Sequence, residues 1–317
     1  MLAIVCPGQG SQTPGFLAPW LELPSAAEHL GELGEVVGLD LVAHGTTSDE
    51  ETIKDTAVAQ PLIVAAGLVA ARSLFDVELS TLPVVLAGHS VGEITASALA
   101  GVLSESDAMT FVGLRAREMA KAAAATPTGM SAVVGGDPDE VLAAIKASGA
   151  SPANVNGGGQ IVAAGTLEEL AALAENPPAK ARVIPLKVAG AFHTRHMAPA
   201  VSALEELRPT LAVANPAVPL LSNFDGQKVT QGDAAVESLV AQVSRPVRWD
   251  LCMETMKSLG VTGLIELAPA GTLAGLAKRG LPGIKTVAVK TPADLTAALE
   301  LFAADAEQNP SPEEETV

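Results

Sequence analysis

The run Val84-Val85-Leu86-Ala87-Gly88-His89-Ser90-Val91-Gly92-Glu93 joins a predicted strand to a predicted helix. Its apolar, β-prone half ends at Gly88, and an alanine-rich helical segment begins just after Gly92. The serine between them has a glycine two places before it and another two places after it, which is the G-x-S-x-G pattern of a nucleophile elbow. At so tight a turn, a Cβ atom at either glycine would collide with the neighbouring strand or helix. The pattern predicts an exposed serine hydroxyl beside the first N–H groups of a helix, which can stabilise an oxyanion. The alternative is a glycine-rich turn with a chance serine.

The composition argues against several classes of protein. With 317 residues, of which 48% are hydrophobic, the chain can bury the core of one large or two smaller domains. A formal net charge of −17 argues against nucleic acid and against anionic membrane surfaces as partners. Apolar runs such as 61–71 are too short to span a bilayer, and no signal peptide precedes the first predicted strand, Leu2–Cys6. Two distant cysteines, Cys6 and Cys252, give neither a disulfide framework nor a metal cluster. We therefore expect a soluble, cytoplasmic protein without a metal site.

The order of predicted elements divides the chain into a main domain and an insert. Residues 127–190 follow the order β-α-β-β-α-β, which is typical of a ferredoxin-like subdomain. Residues 1–126 and 191–303 alternate strands and helices, and we interpret them as one discontinuous α/β domain with a substrate cleft beside the insert. A helix is predicted to begin at Pro61, since proline suits the first helical position. Residues 304–317 are predicted to form an acidic, disordered tail.

A serine nucleophile needs a base, and histidine is the usual one. The chain contains five histidines: His29, His44, His89, His193 and His196. His193 is the best candidate, because it follows the last predicted strand of the insert, at a junction that returns the chain to the cleft. A structural histidine at a domain junction is the alternative. We expect His29 and His44 on the surface, and His89 on the other side of the elbow from Ser90.

The acid of a hydrolase triad is missing, and Arg115 is a second possible site feature. No acidic residue between Ser90 and His193 ends a predicted strand of the main sheet, so a backbone carbonyl could orient the imidazole instead. Arg115 lies in a predicted helix that is apolar on one side. A guanidinium directed inward needs an anion, and its planar fork fits a carboxylate. Most arginines face water, and the residues alone favour that interpretation for Arg115.

Taken together, several separate motifs resemble those of the malonyl-CoA:acyl carrier protein transacylases, over nearly the whole chain to about residue 303. The motifs are Pro7-Gly8-Gln9-Gly10-Ser11-Gln12, Gln60-Pro61, Gly88–Glu93, Arg115, Asn154-Val155-Asn156, Ala191-Phe192-His193 and Arg245-Pro246-Val247-Arg248-Trp249. The family has an α/β-hydrolase-like core with a parallel sheet and an inserted ferredoxin-like subdomain. That fold class agrees with the order of predicted elements.

The resemblance implies the catalytic roles. Ser90 is the nucleophile that carries the acyl group, and His193 is its base. The backbone N–H groups of Gln9 and Val91 form the oxyanion hole. The main-chain carbonyl of Gln242 orients the histidine, which accounts for the missing acid.

The resemblance also implies how the substrate is held. Arg115 binds the malonyl carboxylate, which reverses the interpretation from the residues alone. Phe192 leaves no room for a methyl branch and so selects malonyl over methylmalonyl. Gln60, His89 and Asn156 are supporting polar residues of the site.

The implied reaction is a ping-pong transfer of malonyl from malonyl-CoA to the phosphopantetheine thiol of holo acyl carrier protein, for fatty acid or polyketide synthesis. No cofactor is implied beyond the CoA thioester substrate and the arm on the carrier, and we expect a monomer. Because carriers are acidic, docking needs a local basic patch, for which the candidates are Lys180, Arg182, Lys187, Lys278, Arg279 and Lys285. The alternatives are a serine esterase or thioesterase, which uses water as acceptor, and a catalytically idle scaffold.

Overall fold

The computed structural model describes residues 1–75 and 77–308, which form two β-sheets surrounded by helices. The strands are β1 (Leu2–Cys6), β2 (Val84–Gly88), β3 (Thr128–Gly135), β4 (Ser151–Gly157), β5 (Gln160–Thr166), β6 (Ala181–Pro185), β7 (Leu220–Leu221), β8 (Lys228–Val229), β9 (Val247–Arg248), β10 (Gly263–Glu266) and β11 (Lys285–Ala288). The α-helices are α1 (Ala26–Val37), α2 (Leu41–Thr46), α3 (Glu50–Lys54), α4 (Thr56–Leu74), α5 (Gly92–Leu99), α6 (Glu105–Ala125), α7 (Pro138–Ala147), α8 (Leu167–Glu175), α9 (Ala198–Leu207), α10 (Gly232–Gln242), α11 (Trp249–Ser258), α12 (Thr272–Gly280) and α13 (Leu295–Gln308).

The first sheet has the strand order β11-β10-β1-β2-β7-β8, and its strands pair in parallel except at β7–β8. Every residue of β1 and β2 is buried, as expected of a parallel sheet covered on both faces. In their register Cys6 lies opposite Gly88, so the two strands end side by side. The loops that follow them therefore meet at one edge of the sheet, where α/β folds place their sites.

The second sheet has the order β6-β3-β5-β4-β9. Its first four strands come from one continuous segment and pair antiparallel, with α7 and α8 packed on one face around Val133, Ile145 and Leu173. This is a ferredoxin-like arrangement, and the predicted fold class is confirmed. The fifth strand, β9, was not predicted; it pairs in parallel with β4 and joins the insert to the core. Two residues after Pro246 carry too little pattern to reveal a strand.

The predicted start of α4 is wrong. The helix begins at Thr56 rather than at Pro61, because the side chain of Asp55 caps it by accepting a hydrogen bond from Ala57 N–H at 2.7 Å. Pro61 lies inside the helix. By length and composition α4 could cross a membrane, but most of it is buried, and it packs against α5 and α6 in the core.

The predicted start of the disordered tail, at residue 304, is wrong. Residues 304–308 form the end of α13. Asp305 is buried and accepts hydrogen bonds from the Met1 ammonium group, at 3.1 Å, and from the Thr262 hydroxyl. The acidic composition of this segment suggested disorder, but one of its carboxylates binds the ammonium group at the other end of the chain. Residues 309–317 of the predicted tail lie outside the described residues. The domain boundaries at 126/127 and 190/191 stay predictions.

Candidate active site

The elbow has the geometry that its glycines predict. Ser90 has a left-handed backbone, with φ of 54°, between the end of β2 and the start of α5. A Cβ atom on Gly88 would lie 2.1 Å from the carbonyl carbon of Gly92. A Cβ atom on Gly92 would lie 2.1 Å from the carbonyl oxygen of Cys6 in β1. The steric reason for both glycines is therefore confirmed, and it explains how the serine is lifted out of the turn.

Ser90 and His193 lie in hydrogen-bond contact. The serine Oγ is 2.7 Å from His193 Nε2, and His193 Nδ1 is 2.8 Å from the main-chain oxygen of Gln242. A carbonyl oxygen can only accept, so Nδ1 carries the proton and Nε2 is left as the acceptor for the serine proton. The carbonyl at the end of α10 thus occupies the place that a carboxylate has in a hydrolase triad.

The surroundings of His193 keep its imidazole neutral. Burial, followed by the charge of Arg115, lowers the pKa of His193 to about 3. A neutral imidazole can take the serine proton at any physiological pH. The imidazolium formed is then more acidic than a thiol, whose pKa is about 8.5, so return of the proton to the departing sulfur is favoured.

Arg115 is directed inward from α6 to the serine. It is 1% exposed, and its Nη2 lies 3.4 Å from Ser90 Oγ and 2.9 Å from Gln242 Oε1. Its Nη1 donates to Gln60 Oε1. The interpretation from the residues alone, an arginine facing water, is wrong. Burial lowers the pKa of Arg115 to about 10, so the guanidinium stays charged at neutral pH. Both amide acceptors are neutral, which leaves a positive charge beside the nucleophile for an anion.

A cavity of about 210 Å³ opens beside the serine. It is lined by Gly8, Gln9, His89, Ser90, Met119, Met130, Ala132, Asn154, Asn156, Gln160, Val162, Leu186, Val188, Phe192, His193, Thr272, Leu273 and Leu276. Gln9 belongs to the loop after β1, which packs on the elbow so closely that a Cβ atom on Gly8 would lie 2.9 Å from the His89 carbonyl oxygen. Val91 follows the nucleophile and is the N-cap residue of α5. The loop and the helix start therefore flank Ser90.

The insert supplies the opposite wall of the cavity. Asn156, in β4, has its Oδ1 2.8 Å from Nε2 of His89, so this histidine binds the insert rather than the serine. Phe192 is buried and lies in the lining directly before His193. The structure thus brings the other nine predicted site residues around Ser90, while their individual roles stay predictions.

Two further residues support the elbow and were not predicted. Asn223 Oδ1 accepts from the N–H of Ser90 at 2.8 Å, and its Nδ2 donates to the carbonyl of Gly88 at 2.6 Å. Glu93, behind the elbow, accepts from the N–H of Asn223 at 3.0 Å. Asn223 follows β7, the strand beside β2, so its place at the carboxyl edge of the sheet was a usable signal.

The remaining histidines lie outside the contacts just described. His29 is buried and bonds to the Glu105 carboxylate at 2.7 Å, so its predicted surface position is wrong. An acidic partner on α6 made this burial possible. His44 is partly exposed and lies 3.0 Å from the Ser48 hydroxyl.

The fold and the contact between Ser90 and His193 fit the class of acyltransferases. A family model described as an acyl transferase domain matches residues 3–301. The malonyl CoA-acyl carrier protein transacylase of Mycobacterium tuberculosis is 53% identical over 296 residues, which cover 93% of this chain and 98% of that protein. The chain belongs to the malonyl CoA-acyl carrier protein transacylase family.

Solved structures agree with this assignment. The crystal structure of MCAT from Mycobacterium tuberculosis matches with a TM-score of 0.90 at 53% identity, over 94% of this chain and 99% of the other. A second match is a malonyl-transacylase that was solved in complex with its type II polyketide synthase acyl-carrier protein. Its TM-score is 0.87 at 31% identity, over 95% of this chain and 99% of the other.

Proposed function

We propose that this chain transfers the malonyl group of malonyl-CoA to the phosphopantetheine thiol of acyl carrier protein, through a malonyl ester on Ser90. The observation that carries the proposal is the buried guanidinium of Arg115, with Nη2 3.4 Å from Ser90 Oγ. In a malonyl group the carboxylate is one methylene away from the carbonyl that is attacked. An anion site next to the nucleophile fits that acyl group and leaves an acetyl group without a partner for the charge.

In the first half of the reaction, Ser90 Oγ attacks the thioester carbonyl while His193 Nε2 takes its proton. The backbone N–H groups of Gln9 and Val91 stabilise the tetrahedral oxyanion, since donors fixed in advance cost no reorganisation. The bond to sulfur then breaks, and CoA leaves as the thiol with the proton from His193. Arg115 holds the carboxylate of the resulting malonyl ester.

In the second half, the carrier's pantetheine thiol enters the cavity and gives its proton to the neutral His193. The thiolate attacks the ester carbonyl, and the bond to Ser90 breaks as His193 returns the proton to the serine Oγ. Both halves use the same base and the same oxyanion donors. Neither half needs a resident metal or cofactor, so we propose none.

The carrier docks across the mouth of the cavity in this proposal. Lys180, Arg182 and Lys187 are exposed on and beside β6, whose continuation contributes Leu186 to the cavity lining. Lys278 and Arg279 are exposed on α12, which contributes Leu276 to the lining. Lys187 is next to Leu186 in the chain and Lys278 is two residues from Leu276, so in this proposal these two lysines provide local positive potential for an acidic partner, against a chain with a net charge of −17.

We place the enzyme in the cytoplasm as a monomer, serving a fatty acid or polyketide carrier. Serine hydrolysis is the competing activity, because the same elbow can pass an acyl group to water. The hydrogen-bond acceptors of Arg115 are neutral amides, and Glu93 acts on its charge without a direct hydrogen bond, so the guanidinium can still pair with a substrate carboxylate, which favours malonyl transfer.

The experiment is intact-mass analysis after incubation with malonyl-CoA alone, followed by addition of holo carrier protein. One malonyl group is expected on the peptide that contains Ser90, and it should move to the carrier. Ser90→Ala should acquire no malonyl group, and an adduct on that variant would contradict the assignment of the nucleophile. Release of free malonate at the same rate with and without the carrier would overturn the proposal in favour of a hydrolase.

A further inference from the structure

A buried carboxylate lies behind the elbow and is not among the residues that line the cavity. Glu93, in the first turn of α5, is 3% exposed. Its Oε1 accepts from the main-chain N–H of Asn223 at 3.0 Å, and its Oε2 accepts from the side-chain Nε2 of Gln242. Burial of a carboxylate is costly unless such donors compensate it, so the group needs a structural or functional reason.

The contact with Gln242 fixes the orientation of that side-chain amide. An amide nitrogen donates and an amide oxygen accepts. Because Gln242 Nε2 donates to Glu93, the Oε1 of the same amide is directed to Arg115 Nη2, 2.9 Å away. The reverse orientation would bring an NH2 group against the N–H groups of the guanidinium. The carboxylate, together with Asn223 Oδ1, which lies 3.3 Å from the same nitrogen, therefore favours the orientation in which Gln242 presents its oxygen to Arg115.

The contact with Asn223 leads to the nucleophile. Asn223 Oδ1 accepts from the N–H of Ser90 at 2.8 Å and lies 3.3 Å from Gln242 Nε2. Glu93 thus supports two branches. The contacts through Asn223 hold Ser90 and therefore affect the loading of any acyl group. The contacts through the Gln242 side chain hold Arg115 and therefore affect only an acyl group that Arg115 can bind.

We propose that Glu93 is a positioning residue for malonyl selection, which acts through the side chain of Gln242 to hold Arg115 in place for the substrate carboxylate. Glu93 itself touches neither substrate nor the reacting atoms. The inference rests on the proposed function and adds to it a determinant of substrate specificity outside the cavity lining.

The test compares single-turnover loading from malonyl-CoA and from acetyl-CoA at pH 8, followed by intact mass. Glu93→Gln keeps the shape but replaces one acceptor by an NH2 group. We expect its malonyl loading to fall about 10- to 100-fold, the range for one hydrogen bond to a charged group, and its acetyl loading by less than about threefold. Gln242→Met removes the amide but keeps the main-chain carbonyl that contacts His193, and its malonyl loading should fall by a larger factor than its acetyl loading. This variant decides the question if Glu93→Gln does not fold.

The matched control is Glu266→Gln. Glu266 is also a buried carboxylate, but it accepts from three main-chain N–H groups at the start of α12. Its loss should change both loading rates by the same factor. In an Arg115→Ala background, Glu93→Gln should cause no loss of malonyl loading beyond the loss of less than about threefold that it causes for acetyl, because the residue through which it acts on malonyl is gone.

Equal losses for the two acyl groups in Glu93→Gln or Gln242→Met would overturn the inference. Losses of malonyl loading that multiply with that of Arg115→Ala would also overturn it. A wild-type protein that acquires no malonyl group would instead overturn the proposed function, so the two failures are distinguishable.

Discussion

Replacing Arg115 by alanine removes the charge beside Ser90 while leaving the nucleophile and its base in place. In the proposed complex the guanidinium gives the malonyl carboxylate two charge-assisted hydrogen bonds, each worth about 1.5–3 kcal/mol. Their loss sums to about 3–6 kcal/mol, and each 1.4 kcal/mol corresponds to about a factor of ten. We therefore expect kcat/KM for malonyl-CoA to fall by about 10²- to 10⁴-fold.

Acetyl-CoA should behave differently in the same variant, because its methyl group offers Arg115 no acceptor. The charge of Arg115 also contributes to the low pKa of His193, so its removal should raise that pKa from about 3 toward its ordinary value. A stronger base offsets part of any damage to acetyl loading. The ratio of malonyl to acetyl loading rates is therefore the quantity to measure, with both substrates at subsaturating concentration.

Arg115→Lys is the matched variant, since it keeps a charge but loses the planar fork. It should retain more malonyl loading than Arg115→Ala and less than the wild type. Thermal unfolding of both variants checks that Gln60 and Gln242, which lose their donor, do not destabilise the fold. Equal losses for malonyl and acetyl in a folded Arg115→Ala protein would refute the reasoning and make Arg115 a structural residue.

Three further predictions follow from the described contacts. Phe192→Ser opens the cavity wall and should raise kcat/KM for methylmalonyl-CoA relative to malonyl-CoA. The expected change is about tenfold, which is the effect of one methyl group in a fitted pocket, and an unchanged ratio would contradict the prediction. The double variant Lys180→Glu/Lys187→Glu should raise the KM for the carrier but not the KM for malonyl-CoA. Lys228→Glu on β8 is the control and should change neither KM. An unaltered carrier KM in the double variant would count against the docking surface. Burial raises the pKa of Glu93 from 4.5 to about 7. Between these two pH values the folded protein holds a proton that the unfolded chain releases. The free energy of unfolding should therefore fall by about 3 kcal/mol as pH rises from 4.5 to 7. Denaturant unfolding should show a flatter pH dependence for Glu93→Gln, and identical curves would contradict the raised pKa.

The elbow could be predicted from the sequence because its determinants are local. The glycines at 88 and 92 are needed to avoid contacts within one turn and with the strand beside it, and a short pattern records both. The alternation of strands and helices likewise identified the two sheets. Both inferences depend on residues close together in the chain or on regular spacing.

Arg115 shows where such reasoning ends. Its direction depends on the packing of α6 against α4 and α9, and its polar partners stand 55 and 127 positions away in the chain. Nothing within α6 itself distinguishes an arginine that faces water from one that faces the core. The family resemblance supplied the inward orientation, and the contacts with Gln60 and Gln242 give its physical reason.

The role of the Gln242 carbonyl could not be predicted from the residues alone, because every residue type carries the same main-chain carbonyl. Its side chain, by contrast, is specific: it accepts from Arg115 and donates to Glu93. One residue therefore orients the base through its main chain and the substrate-binding arginine through its amide. A substitution at 242 can separate these two functions, which no substitution at His193 or Arg115 can do.

The two reacting residues also share a backbone feature that the network explains. Ser90 and His193 both have left-handed backbones, with φ of 54° and 61°, a conformation that costs non-glycine residues about 1–3 kcal/mol each. Asn223 holds the first by its N–H, and the Gln242 carbonyl holds the second by its ring. Glu93 accepts from the main-chain N–H of Asn223 and from the side-chain amide of Gln242, so one carboxylate outside the cavity lining contacts both residues that hold Ser90 and His193. The serine, histidine and arginine can be found singly in the sequence, but the network that makes them one site exists only in the folded chain.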